Sequence, residues 1–252
     1  MGLLITGVRS ELGRLLSQRR ATGKVHISIA GQHANTLLHD GHAWKGFSQA
    51  ARAGARRTLR TDANMLVHAS FAFVLGRPQK DPLRSIAETI LECESLVLSG
   101  PVPACVVRLG YLYGPESRDL RAYRAAFRLG RPYWAGPRKS LQYHLHQYDA
   151  VSALLTAANP RNVGRILYAT DGTPVSFMQF MDDFARGIGK RFPLHVPLIA
   201  TPFIKLLVRK EHMQQAALAM PARAPSPRVP RWKPTFSDYH VGLNQIIEAW
   251  NS

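Results

Sequence analysis

Near its amino terminus the chain reads Gly2-Leu-Leu-Ile-Thr-Gly-Val-Arg-Ser-Glu-Leu-Gly13, a short apolar run that ends in glycine and leads into leucines at helical spacing. This order predicts a strand over Leu3 to Thr6, a tight turn, and a helix over Glu11 to Arg20. In such a unit the first N–H groups of the helix can bind a pyrophosphate when glycines let the backbone approach it. A β-turn-α corner without a ligand gives the same pattern, so both interpretations stay open.

The turn supplies four candidate cofactor-binding residues, Gly7, Arg9, Ser10 and Gly13. The two glycines fit a Thr-Gly-x-x-Gly-x-x-Gly pattern, whereas Ser10 occupies the position of the middle glycine. Its Cβ and hydroxyl take space that a diphosphate would use, and Arg9 could contact a phosphate. We therefore expect dinucleotide binding to be weak or lost.

A second informative segment is Ala104-Cys-Val-Val-Arg-Leu-Gly-Tyr-Leu-Tyr-Gly-Pro115. It resembles the Arg-Pro-x-x-x-Tyr-Gly-Pro segment of the extended and atypical short-chain dehydrogenase/reductases, the NAD-dependent epimerase/dehydratase family, with Leu109 in place of the proline. Further segments resemble the family's motifs in the same order along the chain: Tyr143 to Asp149, Gly172 to Phe177 and Trp232 to Phe236.

The resemblance implies an α/β fold: a Rossmann-like, doubly wound parallel sheet with a small C-terminal α/β lobe. We expect residues 1–170 to form the NAD(P)-binding-type domain and residues 171–252 the small lobe, within one compact unit. Val25 to Ala30 reads as the second strand. The serine-bearing strand, Met65 to Ser70, follows the glycine turn at Gly7 much sooner than in the family, so about one βα unit of the nucleotide-binding half is missing.

The family's chemistry uses a serine, a tyrosine acid/base and a lysine one helical turn later. Ser70 matches the serine. When Glu94 is aligned with the glutamate that follows the motif, Ile86 and Ile90 replace the tyrosine and the lysine. Neither of these residue types occurs between Leu83 and Gly110, so the conclusion does not depend on the register. We predict that the catalytic pair is lost and that Ser70 remains from a degenerate site.

The residues that usually discriminate between NAD and NADP are also missing. A dinucleotide enzyme offers an acidic residue, or an arginine for a 2′-phosphate, near the end of its second strand, whereas this chain offers Gln32 and His33. Arg108 and Tyr111 complete the candidate cofactor-binding set. NAD(P) is therefore the cofactor considered, with NADP favoured over NAD if either is bound.

A metal site is a weaker hypothesis. His144 and His146 alternate on one predicted strand close to Asp149, and such a group could hold a metal. The family carries similar residues here without a metal, so we predict none. Asp149 reads better as the N-cap of a helix over Ala150 to Ala158, because an aspartate side chain accepts N–H bonds from the first helical turn.

The charge is far from neutral. The 252 residues carry 33 Lys and Arg against 16 Asp and Glu, a formal net charge of +17. Arg52, Arg56 and Arg60 recur every fourth residue and predict a basic ridge, and a basic, proline-rich segment runs from Pro221 to Pro234. Such a field favours acidic partners. An acidic protein assembly is the favoured partner, with nucleic acid or an anionic membrane surface as alternatives.

Three functions are consistent with these observations. The favoured one is an accessory or binding subunit without catalysis, which docks through basic surfaces on a larger acidic assembly. The second is an NAD(P)-dependent epimerase, dehydratase or reductase with a non-standard acid/base group, and the third is an RNA-binding relative. The sequence offers no uninterrupted apolar run of membrane-spanning length, and we expect a cytoplasmic protein or one peripheral to a membrane complex.

Overall fold

The computed structural model describes residues 2–21, 23–32, 46–191, 193–200, 203 and 210–251. Its strands are β1 (Gly2–Thr6), β2 (Lys24–Ser28), β3 (Met65–Phe71), β4 (Ala104–Leu109), β5 (Tyr111–Tyr113), β6 (Leu141–Gln142), β7 (His144–His146), β8 (Ile166–Ala169) and β9 (Val175–Ser176). Its helices are α1 (Glu11–Ser17), α2 (Phe47–Thr58), α3 (Leu83–Leu98), α4 (Arg118–Arg128), α5 (Gln147–Ala157), α6 (Phe177–Gly187), α7 (Lys210–Ala217) and α8 (Tyr239–Asn251).

The central sheet has five parallel strands in the order β1-β2-β3-β4-β8. Helices α1 and α5 pack on one face, against alternate strand residues such as Val25, Val67 and Val107. Helices α2 and α3 pack on the other face, in an apolar core that includes Leu66 and continues into the C-terminal part of the chain. The predicted α/β class, a parallel sheet between two layers of helices, is confirmed.

The strand order shows where the fold is shortened. A doubly wound sheet usually runs 3-2-1-4-5-6, so that its second strand and its fourth strand lie on opposite sides of the first. Here β2 lies between β1 and the serine-bearing β3, which is the place of the fourth strand. Within the described ranges, strands two and three of the usual order therefore have no counterpart. The predicted loss of about one βα unit was too small, because the residues Val25 to Ala30 were assigned to the wrong strand position.

The shortening also changes the hand of one connection. Strands β1, β2 and β3 advance across the sheet in one direction, yet α1 and α2 lie on opposite faces. The crossovers β1-α1-β2 and β2-α2-β3 therefore have opposite hands, although about 98% of such crossovers are right-handed. Removal of two strands explains this, because in the usual order the chain reverses its direction between the first and the fourth strand.

The C-terminal segment is tied to α5. The carboxylate of Asp149 accepts the backbone N–H groups of Thr235 and Phe236, each at 2.8 Å. The N-cap of α5 is His146, whose Nδ1 accepts from Tyr148 N at 3.3 Å. The predicted capping role of Asp149 was wrong, because the helix begins three residues earlier than predicted and the carboxylate is used by the distant segment.

Within the described ranges, no helix combines the length and the apolar character needed to cross a bilayer.

Candidate functional site

The glycine turn between β1 and α1 is held by hydrogen bonds among its own residues. Gly7 has φ +96°, a left-handed conformation that favours glycine, and Arg9 beside it is exposed. Ser10 is the N-cap of α1: its Oγ accepts from Gly13 N at 3.0 Å and donates to Gly7 O at 2.9 Å. A Cβ on Gly13 would lie 2.4 Å from Gly7 O, so no side chain fits there. The serine hydroxyl thus takes the Gly13 N–H, a donor that a bound phosphate would otherwise use.

Ser70 and Arg108 are brought together, but inside the domain. Ser70 Oγ donates to Glu94 Oε1 at 2.5 Å, and Arg108 binds the same carboxylate through Nε at 2.8 Å and Nη2 at 2.6 Å. Arg108 Nη1 donates to Tyr168 Oη at 2.9 Å. The side chains of Glu94 and Arg108 are 3% and 12% exposed. This buried network connects β3, α3, β4 and β8, and its geometry is that of a structural ion pair.

The two isoleucines of α3 are buried. Ile86 and Ile90 are 6% and 3% exposed and belong to the core on this face of the sheet. Aromatic rings fill the space beyond the carboxyl ends of β3 and β4: the Phe71 and Phe73 centroids lie 5.8 Å apart, and Phe73 stacks on Tyr111 at 6.4 Å. Burial raises the pKa of Tyr111, which disfavours its use in proton transfer near neutral pH.

A C-terminal segment, residues 214–222, closes over the start of α3. Gln214 accepts from Leu83 N at 3.2 Å and donates to Asp81 O at 3.0 Å. Further hydrogen bonds fix the same segment: Gln142 Nε2 to Gln215 O, Met220 N to Leu141 O, and Tyr143 Oη to Pro221 O and Ala222 O. These bonds hold residues 214–222 against the start of α3 and against β6.

An open cavity of about 690 Å³ lies beside this segment. Leu83, Trp134 and Leu218 supply part of its apolar lining, and Lys80 and Lys210 lie at its border. Neither lysine forms an ion pair with a described residue. The volume is within the range of small-molecule sites.

Three buried histidines are neutral near pH 7, because burial lowers the pKa of His68 to about 4, of His144 to about 3 and of His146 to about 4. His144 stacks on Phe180 with ring centroids 4.3 Å apart. In the part of the chain that the structure describes, no three His, Cys, Asp or Glu side chains form a group that could hold a metal ion.

Comparison with known proteins points to one group. No family model matches the chain. It is 28% identical over 216 residues to the 3-diazoavenalumate denitrifying reductase of a Streptomyces species, covering 78% of this chain and 67% of that protein. It is 31% identical over 143 residues to short-chain dehydrogenase/reductase family 42E member 1 of Danio rerio, covering 51% of this chain and 37% of that protein.

Solved structures agree with these relatives. Human epimerase family protein SDR39U1 (isoform 2) with NADPH superimposes with a TM-score of 0.73 at 14% identity, covering 98% of this chain and 99% of that one. RMD from Pseudomonas aeruginosa, complexed with NADPH, gives 0.71 at 18% identity and covers 98% of each chain. The chain has the short-chain dehydrogenase/reductase fold. The predicted resemblance to that family is confirmed.

The short-chain dehydrogenase/reductase fold raises the question whether these residues fit a dinucleotide. At the start of α1, the Glu11 carboxylate accepts from Arg118 N at 3.3 Å and from Gln147 Nε2 at 2.8 Å, and burial raises its pKa. A carboxylate therefore already occupies donors near the glycine turn, and when it is ionised it repels a diphosphate.

The residues that would bind the adenosine half of a dinucleotide do not fit it either. Gln32 is 2% exposed, and its amide donates to the carbonyls of Ala69 at 2.9 Å and Ser70 at 3.1 Å, so it faces the sheet interior. His33 lies outside the described residues. No strand lies beyond β1 in the described ranges, and the crevice in which such folds bind nucleotides forms where strand order reverses. The described residues therefore do not fit a complete NAD(P), and we derive no step through it.

Sequence reasoning missed Glu94 as the partner of Ser70 and Arg108. The available signal was that all three lie in segments that resemble family motifs. Ser70 and Arg108 are register partners on β3 and β4, and Glu94 lies on the helix that packs against them.

Proposed function

We propose that this chain is a binding or accessory subunit with a short-chain dehydrogenase/reductase fold and without oxidoreductase activity. One observation carries the proposal: α3 presents buried Ile86 and Ile90 where the family's proton-transfer pair would stand. The closure of the cleft by residues 214–222 supports it. Hydrocarbon side chains neither donate nor accept a proton, so these two positions of α3 supply no acid/base group.

We further propose that the subunit docks on an acidic assembly. Helix α4 supports this role, because Arg118, Arg121, Arg124 and Arg128 recur at intervals of three or four residues. Arg121 and Arg124 lie over the Trp250 ring at 6.0 and 5.2 Å. The ridge predicted from Arg52, Arg56 and Arg60 is a weaker docking surface, since α2 ends at Thr58, before Arg60, and Glu92 pairs with Arg52.

A second candidate is an NAD(P)-dependent reductase with a non-standard acid. The similarity to the Streptomyces reductase favours it, as does the cavity beside Leu83.

Titration with NADPH separates the two candidates. We expect no saturable change in nucleotide or protein fluorescence up to about 1 mM NADPH, and no NADPH oxidation with a panel of carbonyl compounds. RMD from Pseudomonas aeruginosa, whose structure contains NADPH, serves as the positive control. Saturable binding at micromolar NADPH together with turnover would refute the proposed function and favour the reductase.

Restoring the missing pair should not restore chemistry. The double variant Ile86→Tyr, Ile90→Lys should show no carbonyl reduction, and it should lose about 2–3 kcal/mol of unfolding free energy because a lysine is then buried without a partner. Activity assays and urea unfolding measure both effects. The matched control, Ile86→Leu with Ile90→Leu, conserves volume and should lose less. Reduction of a carbonyl by the Tyr/Lys variant would contradict a closed cleft.

A further inference from the structure

The outer edge of β1 carries backbone groups without a strand partner. Within the described ranges β1 pairs with β2 on one side and with no strand on the other. Gly2 N donates to Gly23 O at 3.2 Å and Thr6 O accepts from Ile29 N at 2.9 Å, so the even-numbered residues direct their peptide groups toward β2. Because this direction alternates along a strand, the N–H and C=O groups of Leu3 and Ile5 point away from the sheet.

Among the described residues, the β1 edge carries no charged residue, proline or bulge that would protect it. Proteins normally guard an edge strand with a charged residue, a proline, a bulge or a covering element. The residues Gly2–Thr6 contain no charge and no proline, and the Leu4 side chain is 50% exposed. The side chains of Leu3 and Ile5 pack partly buried against the core under α1. An added strand would extend both the hydrogen-bond ladder and this apolar face.

The surroundings of the edge select the charge of the added strand. Exposed arginines lie in the turn after β1, on α1, which packs on β1, and just beyond α1: Arg9, Arg14, Arg19 and Arg20. None of them pairs with an acidic residue in the described part of the chain. Glu11, the acid of this region, is directed toward Arg118 N and Gln147. A second copy of the chain would bring like charges together, whereas an acidic strand would be attracted.

We propose that the β1 edge binds an extended, acidic segment of a partner protein, which adds a sixth strand to the five-stranded sheet. The inference rests on the proposed function and deepens it, because it names how the acidic partner is held. Main-chain hydrogen bonds to Leu3 and Ile5 supply the register, and the arginines select acidic side chains.

The test uses a labelled peptide of about ten residues with alternating glutamate and valine, and its binding is followed by fluorescence anisotropy at low salt. The wild-type chain should bind it saturably. Ile5→Pro removes one outward N–H, at a position where an edge strand tolerates proline, and should weaken binding about tenfold. Ile5→Val keeps the N–H and should bind within about twofold of wild type. A matching lysine and valine peptide should not bind.

Amide exchange keeps the test decisive if circular dichroism shows that Ile5→Pro does not fold. Saturating glutamate peptide should slow exchange at Leu3 and Ile5 of the wild-type chain about tenfold. The proposal is overturned if the wild type does not bind the glutamate peptide at about 1 mM, or if the lysine peptide binds equally well. It is also overturned if a folded Ile5→Pro variant binds like wild type, or if the peptide does not slow amide exchange at Leu3 and Ile5. Such failures leave the NADPH result unchanged, so they refute binding at the β1 edge but not the proposed function. NADPH turnover rejects the proposed function whatever the peptide does.

Discussion

Replacing Glu94 by alanine should lower the free energy of unfolding by about 3–5 kcal/mol, because it leaves a charged arginine buried without its partner. The Glu94 carboxylate accepts from Ser70 and twice from Arg108, and both charged side chains are nearly inaccessible to solvent. Domains of ordinary stability unfold at a cost of about 5–15 kcal/mol, so this single change removes a large share of the total.

Urea unfolding near neutral pH, followed by circular dichroism, measures the loss. Glu92→Ala is the matched control: Glu92 lies on the same helix and pairs with Arg52, but the two side chains are 53% and 42% exposed. An exposed pair contributes little to stability, because solvent screens the two charges and holding the long side chains together costs entropy. Glu94→Leu with Arg108→Met removes both charges and should be less damaging than Glu94→Ala. If Glu94→Ala and Glu92→Ala cost the same, the buried network is not a stabilising element.

Acid should destabilise the protein through protonation of its buried histidines. The pKa values of His68 and His146 are lowered by burial to about 4 and that of His144 to about 3, against about 6.5 in an unfolded chain. Below pH 6.5 the unfolded state therefore binds protons that the folded state does not, and stability falls as pH falls toward the folded pKa values. The full contribution is present above pH 6.5.

Between about pH 7 and about pH 5, each of these histidines should cost about 2 kcal/mol of unfolding free energy. Asp171 and Glu11 act in the opposite sense, because burial raises the pKa of each carboxyl and the folded state then binds the extra proton. We expect a net loss of stability between the two pH values that is smaller than the sum of the histidine contributions, measured by urea unfolding at each pH. His144→Leu should reduce that loss by about 2 kcal/mol. An unchanged pH dependence in this variant would show that His144 is not buried in its neutral form.

Periodicity and spacing were sufficient for local structure. The strand-turn-helix around Gly7, the strand before Ser70 and the helix over Ile86 and Ile90 are all present, because each depends on residues close together in the chain. Strand order could not be predicted in this way. The alternating pattern of Val25 to Ala30 fits the second strand and the fourth strand of the usual order equally well, and only its pairing with both β1 and β3 identifies it as the fourth.

The roles of isolated polar residues were equally hard to predict. Glu94 on an amphipathic helix could equally face solvent, and its bonds to Ser70 and Arg108 form only when distant strands assemble. Asp149 precedes a helical pattern and so resembles a cap, but its partners, Thr235 and Phe236, lie far along the chain. In both cases the deciding contact joins residues that no local pattern connects.

The opposite hands of the first two crossovers have a consequence for how this architecture can vary in length. The chain runs from α1 directly into β2, which lies between β1 and β3, whereas the other side of β1 has no neighbouring strand in the described residues. Extra strands with their own helices can be accommodated there without disturbing either apolar layer. We therefore expect insertions and deletions among homologues of this shape to concentrate between Ser17 and Lys24.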